Sequence, residues 1–391
     1  MGVLRESLGQ IFSILSKVSA TPILDLEQSP PEPGSPWRRR LIALVLGVVL
    51  GALLILEDQA RLRGWPWPAC NGLLLIPALY VGIAIHELGH LVAGRLVGLN
   101  AGGISVGPFV FAQSGKNWVI RFDRRRWFGG FFKPLTNTID CPLSRFAWLV
   151  AGGPIANLAL ATVCGVISVR GDGPWNWTGT LFWASVLLVV LAAVPYSSGL
   201  NKSDGARLWQ LIHHPQQARR WIAVLALSSE ETKGLRPREW NSELFNQILD
   251  VDPSASEYLY CHLFAYYRRI DEGREADALE HLEKVLATSA RVGKPLRHAL
   301  FLETAAASGI VRKSPKQARK WMERACKLRR PESTDAVDAS IAMCEGRYEE
   351  AASHWKKARE HVVRKRLDSG LSRFAKEKWA TYEAACGGHQ T

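Results

Sequence analysis

"IAIHELGHLVAG", residues 83–94, decides how the rest of the chain is read. His86, Glu87 and His90 stand in a run of Ile, Leu, Val, Ala and Gly that otherwise has the composition of a membrane span. A charged side chain at mid-membrane costs about 2.5–3.5 kcal/mol on insertion scales, so ionisable groups inside such a run point to function. His86 and His90 are four residues apart. On a helix both imidazoles then project from one face, about one turn apart, where they can share one tetrahedral zinc ion. Glu87 lies beside His86 and can act as general base toward water, the chemistry that an H-E-x-x-H helix carries. Two histidines satisfied by neighbouring helices would instead leave Glu87 buried with nothing to bind.

The surroundings support a membrane setting. Four apolar runs precede residue 205: Leu41 to Leu56, Leu73 to Leu99, Phe146 to Val169 and Trp177 to Val194. A span needs about 20 predominantly apolar residues, so the second and third suffice and the first and fourth are short. Four spans are expected. Basic residues set their direction: Arg38, Arg39 and Arg40 precede the first run, and the loop between the second and third holds Lys116, Arg121, Arg124, Arg125, Arg126, Lys133 and Arg145. The other two loops hold only Arg61, Arg63 and Arg170. By the positive-inside rule the N-terminus, the central loop and the C-terminal half face the cytoplasm, in a multi-pass protein of the cell or inner membrane. No cleavable signal is expected, because the first apolar run begins near residue 41 with no small-residue cleavage pattern after it.

The net charge of +13 comes without any nucleic-acid motif, and the arginine cluster adjoins a membrane, so anionic headgroups are the expected partner and nucleic acid is not. Seven cysteines are scattered without a C-x-x-C pair, which argues against a disulfide framework or a zinc knuckle.

A catalytic zinc takes a third protein ligand and keeps one position open. The candidates near the membrane are Asp123, Asp140, Asp172 and Asp204. Asp204 follows the last run in "VPYSSGLNKSDGARL", at the cytoplasmic end, and His86 and His90 fall in the cytoplasmic half of their span, so the depths can meet. Pro195, Gly199 and Gly205 would let the chain unwind and turn back.

"HELGH", "AGGPIAN" and "SDGARL", in that order, resemble the site-2 proteases, a family of intramembrane zinc metalloproteases, over roughly residues 72 to 210. The resemblance implies His86, His90 and Asp204 as zinc ligands and Glu87 as catalytic base. In "GGPIAN", Gly152 to Asn157, the glycines suit close helix packing, and Asn157 is read either as a donor to the oxyanion or substrate backbone or as an interhelical hydrogen bond. One departure stands out: where the family has an Asn before the proline of its last core span, this chain has Ala192, and Pro195 lies farther from Asp204.

In the central loop, "ISVGPFVF" and "NWVIRFD" read as two strands around a turn at Ser114 to Asn117, a hairpin whose edge could pair with an unwound substrate. "RRRWFGGFFKP", with Trp127, Phe128, Phe131 and Phe132, reads as an interfacial anchor. Residues 1 to 18 carry Val3, Leu4, Leu8, Ile11, Phe12, Leu15 and Val18 at helical spacing, an amphipathic surface anchor or plug followed by the linker "PPEPGSP". In the charged C-terminal half, Ala318 and Ala325 precede Ala351 and Ala358 at a spacing near the tetratricopeptide period of about 34 residues, and Ala278 marks an earlier, irregular copy.

The expected architecture is therefore mostly α: residues 1–37 an amphipathic helix and linker, 38–210 a metalloprotease core of about four transmembrane helices with a small β-hairpin, and 211–391 a cytoplasmic helical-repeat domain. The expected function is a zinc metalloendopeptidase acting on transmembrane protein substrates in the lipid bilayer, with the repeats recognising substrate or a partner protein. The alternative is a membrane-tethered adaptor with a structural or vestigial metal site.

Overall fold

The computed structural model describes residues 68–388 except 115–116, 124–128, 137–141, 172–175, 199–200, 332 and 365–368. The expected N-terminal helix and the first apolar run lie outside the described residues. The fold is mostly helical with one small antiparallel sheet, and the described residues divide into two compact units that meet in the chain at Glu257 and Tyr258.

In the first unit, a 3-10 turn at Gly72–Leu74 leads into α1 (Leu75–Leu96), which carries the His-Glu-His stretch. Helix α2 (Leu143–Arg170) carries the Gly-Gly-Pro stretch. Among the described residues these two are long and apolar enough to cross a membrane. Helix α3 (Trp177–Ala193) is apolar but has 17 residues, about 25 Å at 1.5 Å per residue, short of a hydrocarbon core of about 30 Å. Ile76, Val92 and Leu96 on α1 and Trp148, Leu158 and Val163 on α2 are exposed, as lipid-facing side chains are in a protein viewed without its bilayer.

Glycine sets how closely α1 and α2 approach. A Cβ on Gly89 would run into the carbonyl oxygen of Gly152, and one on Gly152 into that of Gly89, so the two backbones touch at this pair. In lipid, such small-residue contacts replace the hydrophobic drive that brings helices together in water. Gly152→Ala is therefore expected to force the helices apart and lower stability by about 1–3 kcal/mol, the usual cost of overpacking, as read by SDS-induced unfolding of the solubilised chain.

The loop between α1 and α2 differs from the expected hairpin. It forms four strands, β1 (Asn100–Val106), β2 (Phe109–Ser114), β3 (Asn117–Phe122) and β4 (Gly130–Leu135), all antiparallel, in the order β3-β2-β1-β4. "ISVGPFVF" is not one strand, because it is broken by a turn at Gly107, whose φ of 53° is left-handed, and Pro108, which has no N–H for a ladder. The expected interfacial anchor is partly β4. Phe131 is exposed, but Phe132 turns inward and packs with Leu99, Phe146 and Leu149. Trp127 and Phe128 lie outside the described residues.

After α3 the tiny strands β5 (Ser197–Ser198) and β6 (Asn201–Lys202) lead to α4 (Asp204–His213), α5 (Pro215–Thr232) and α6 (Ser242–Leu249). Residue 210 falls inside α4, and α5 and α6 belong to the first unit. The reason is packing: Ala218 and Ile222 of α5 share a core with Phe146, Leu149 and Leu211. Lys133 of β4 donates to Thr232 Oγ1 at 2.6 Å, and the Thr136 amide donates to Ser229 Oγ at 3.1 Å, so β4 is fastened to α5.

The second unit begins with α7 (Tyr258–Asp271) and α8 (Glu275–Ala287), then α9 (Lys294–Ile310), α10 (Pro315–Leu328), α11 (Asp335–Cys344) and α12 (Tyr348–Arg364). Ala278, Ala318, Ala325, Ala351 and Ala358 are all buried. Ala318 and Ala351 are each the fourth residue of a helix, α10 and α12, and Trp321 and Trp355 follow them at similar places in the two cores.

Candidate metal centre

Each of the three ligand candidates is delivered by a different local device. Helix α1 places His86 and His90 one turn apart with their Nε2 atoms 3.2 Å from each other. Asp204 is the first residue of α4, and its neighbours explain why it sits there. Ser203 caps the helix by accepting from the Ala206 amide at 3.2 Å and ties it to α3 by donating to the Val194 carbonyl at 2.7 Å. Gly205 lies against the end of α3, where a Cβ would strike the carbonyl oxygen of Ala193. Ser-Asp-Gly thus reads as cap, ligand and close contact. The outcome is an Asp204 Oδ2 that lies 3.0 Å from His86 Nε2 and 3.6 Å from His90 Nε2.

Those three atoms form a triangle with sides of 3.0, 3.2 and 3.6 Å. Ligand atoms around a tetrahedral zinc with bonds of about 2.0–2.1 Å stand about 3.3 Å apart, so the residues fit the ion. Among the described residues this is the one group of three or more His, Cys, Asp or Glu side chains close enough to hold a metal. Two imidazoles and one carboxylate leave a position for water or substrate, the donor count of a catalytic rather than a closed site.

Gly153 provides the space. A Cβ there would lie 2.5 Å from His90 Nε2 and 2.7 Å from His86 Nε2, in front of the lone pairs that a metal needs. The two glycines of the Gly-Gly-Pro stretch therefore do separate things: Gly152 lets the helix backbones touch, and Gly153 keeps the metal position clear.

The far sides of both rings are also held. His90 Nδ1 lies 2.8 Å from the Leu149 carbonyl oxygen, which accepts its proton and so leaves Nε2 bare. Phe132 stacks over the same ring, with centroids 6.4 Å apart. The amide of Asn157, which is wholly buried, is 3.1 Å from His86 Nδ1, and its Oδ1 has no hydrogen-bond partner. With Oδ1 turned to His86, the amide accepts the Nδ1 proton and frees Nε2 for a metal. The structure thus places Asn157 against the ring of His86, a candidate ligand.

Glu87 is 5% exposed, and its Oε2 is buried with no hydrogen-bond partner. A buried carboxylate oxygen without a donor is costly, and it marks a place where water or substrate belongs. Gly130, at the start of β4, packs against the same side chain, where a Cβ would overlap Oε1. Reading the sequence alone did not bring β4 to the site, although a glycine pair inside the aromatic stretch "FGGFF" was a signal of close approach. Asp123 lies after β3 and is not part of the cluster, and Asp140 and Asp172 lie outside the described residues.

Arg207 and Gln210 of α4 join a buried carboxylate, Glu257. Glu257 Oε1 accepts from Arg207 Nη1 at 2.7 Å, with Gln210 Nε2 at 3.4 Å and Lys202 Nζ at 4.0 Å. Burial works against the charge on Glu257, and Arg207, with Lys202 and a hydrogen bond from Ser256, together outweigh it and hold the carboxyl below its ordinary range.

Comparison with known proteins adds one match. A family profile described as peptidase family M50 matches residues 74–375. No curated protein and no solved structure matches the chain.

Proposed function

The chain belongs to peptidase family M50, the site-2 protease family, and from that membership and the His86–His90–Asp204 cluster we propose a zinc-dependent endopeptidase that cuts membrane-embedded protein substrates. Membership carries metallopeptidase activity and a membrane setting. The single observation that carries the finer reading is the buried Glu87 Oε2 without a partner, beside His86 and His90 on a helix of membrane-spanning character and Asp204 brought up to them.

When bound by His86, His90 and Asp204, zinc supplies Lewis acidity to the peptide carbonyl and to water. Glu87 takes the proton of the attacking water and returns it to the leaving amine. Leu149 and Asn157 hold the two imidazoles with their metal-facing nitrogens bare, which makes Asn157 a positioning residue in this reading rather than an oxyanion donor. Substrate helices hide their peptide bonds and must unwind to be cut. β4 is an edge of the sheet and begins at Gly130 on Glu87, so an unwound segment added along that edge would run past the general base. The N- and C-termini are assigned to the cytoplasmic side by the arginine distribution, and the helical second unit to recognition of substrate or a partner protein.

The test uses the full chain in detergent or nanodiscs with a model transmembrane peptide. The expected result is a single zinc per chain and cleavage that stops on chelation and returns with added zinc. Zinc retained by a chain that cuts neither helical nor helix-destabilised peptides would instead favour a tethered adaptor with a structural metal.

A further inference from the structure

The ligand Asp204 sits on α4, a helix of 10 residues that leaves the end of α3 through a very short hairpin. So short a helix has little intrinsic stability and takes its orientation from what holds it. Three of the side chains that flank Asp204, namely Lys202 before it and Arg207 and Gln210 after it, converge on one carboxylate, that of Glu257. The acceptor is buried, Glu257 being 3% and Gln210 2% exposed, while Arg207 and Lys202 reach it from partly exposed positions. Arg207 is also pinned from its other face, with its guanidinium carbon 4.5 Å from the centre of the Trp221 ring, which in turn meets Phe146 of α2 edge to face.

We propose that Glu257 is a positioning residue for the metal centre, fixing the rotation and depth of α4 and hence where the Asp204 carboxylate stands relative to His86 and His90. The proposal rests on the reading of those three residues as metal ligands. The physical case is one of leverage. A buried carboxylate that neutralises Arg207 and draws in Lys202 holds the segment on both sides of Asp204, adding to the Ser203 hydrogen bonds and the Gly205 contact that tie its start to α3. Without Glu257, Arg207 keeps its hydrogen bond to Gln210 Oε1 and its place on Trp221, but it and Lys202 lose the carboxylate they share, and their charges are drawn toward water, pulling on α4.

The test reads the metal, not only cleavage. Full-length wild type, Glu257→Gln and Glu257→Ala are purified in nanodiscs and titrated with cobalt(II), whose visible spectrum reports ligand geometry, and zinc affinity is measured by competition. Glu283→Ala serves as control, because it removes a comparable ion pair, with Arg312, from the second unit. The expected result is zinc affinity lowered about tenfold in Glu257→Gln and further in Glu257→Ala, with an altered cobalt spectrum, while Glu283→Ala matches wild type. Should Glu257→Ala fail to fold, Glu257→Gln decides, since it keeps the shape and an acceptor oxygen. Affinity and spectrum unchanged in Glu257→Gln, or shifted equally in Glu283→Ala, overturn the role. A wild type that takes up no cobalt overturns the metal reading and this role with it.

Discussion

Glu87→Gln is expected to lower peptide cleavage by about 10²–10⁴-fold while leaving the metal content of the chain at the wild-type level. The expectation follows from the division of labour in α1. His86 and His90 turn their Nε2 atoms toward Asp204, whereas Glu87 is outside that triangle and has one oxygen buried without a partner. Glutamine keeps the volume against Gly130 but cannot accept a proton, so it removes acid–base chemistry and leaves the donors intact. Metal analysis and peptide cleavage on the same preparation check it. Cleavage that survives the change would mean that another group takes the proton, and loss of metal together with cleavage would make Glu87 a ligand.

Gly153→Ala is expected to weaken zinc binding by about 100-fold or more, at the upper end of what altered surroundings of a metal usually cost. The added methyl would occupy the space in front of His90 Nε2 and His86 Nε2, at 2.5 and 2.7 Å. Neither ring has a simple way to yield, since His90 is held by the Leu149 carbonyl and His86 faces the Asn157 amide. Gly72→Ala is the control, as a Cβ there meets nothing within 4 Å. Zinc affinity by competition, with circular dichroism to show that both variants keep their helices, reads the result. Wild-type affinity in Gly153→Ala would place the metal away from these two nitrogens.

Much of the site was legible because its parts are local. The four-residue spacing of His86 and His90 puts both on one helix face whatever else the chain does, and α1 realises it. Ser203, Asp204 and Gly205 are neighbours in the chain, a cap, a candidate ligand and a close contact, so Asp204 reaches the histidines although Ala192 stands where the family carries an asparagine. The small residues of the C-terminal half were likewise legible as helix contacts, since alanine at helical spacing is buried wherever two helices approach.

What failed to show was decided over distance. The apolar and aromatic residues of the central loop suited strands, but a two-stranded reading missed the turn at Gly107 and Pro108 and left β4 as a membrane anchor. β1 pairs with both β2 and β4, so β4 becomes an edge that lies on Glu87 and sends Phe132 onto His90. The glycine pair before Phe132 signals a close approach, but nothing near it in the chain says to what.

Composition and periodicity along the chain were enough for the apolar helices, the pairing of His86 and His90 on one helix face and the helical C-terminal half, because each depends on residues a turn or two apart. Tertiary structure alone made Gly153 the empty space in front of two imidazoles, turned Asn157 toward His86 and closed Glu257 over Arg207. Those are pairings between elements far apart in sequence. They arise only when backbones touch at Gly89 and Gly152 and the short helix after α3 folds back, since close packing, not local preference, selects which distant side chains meet.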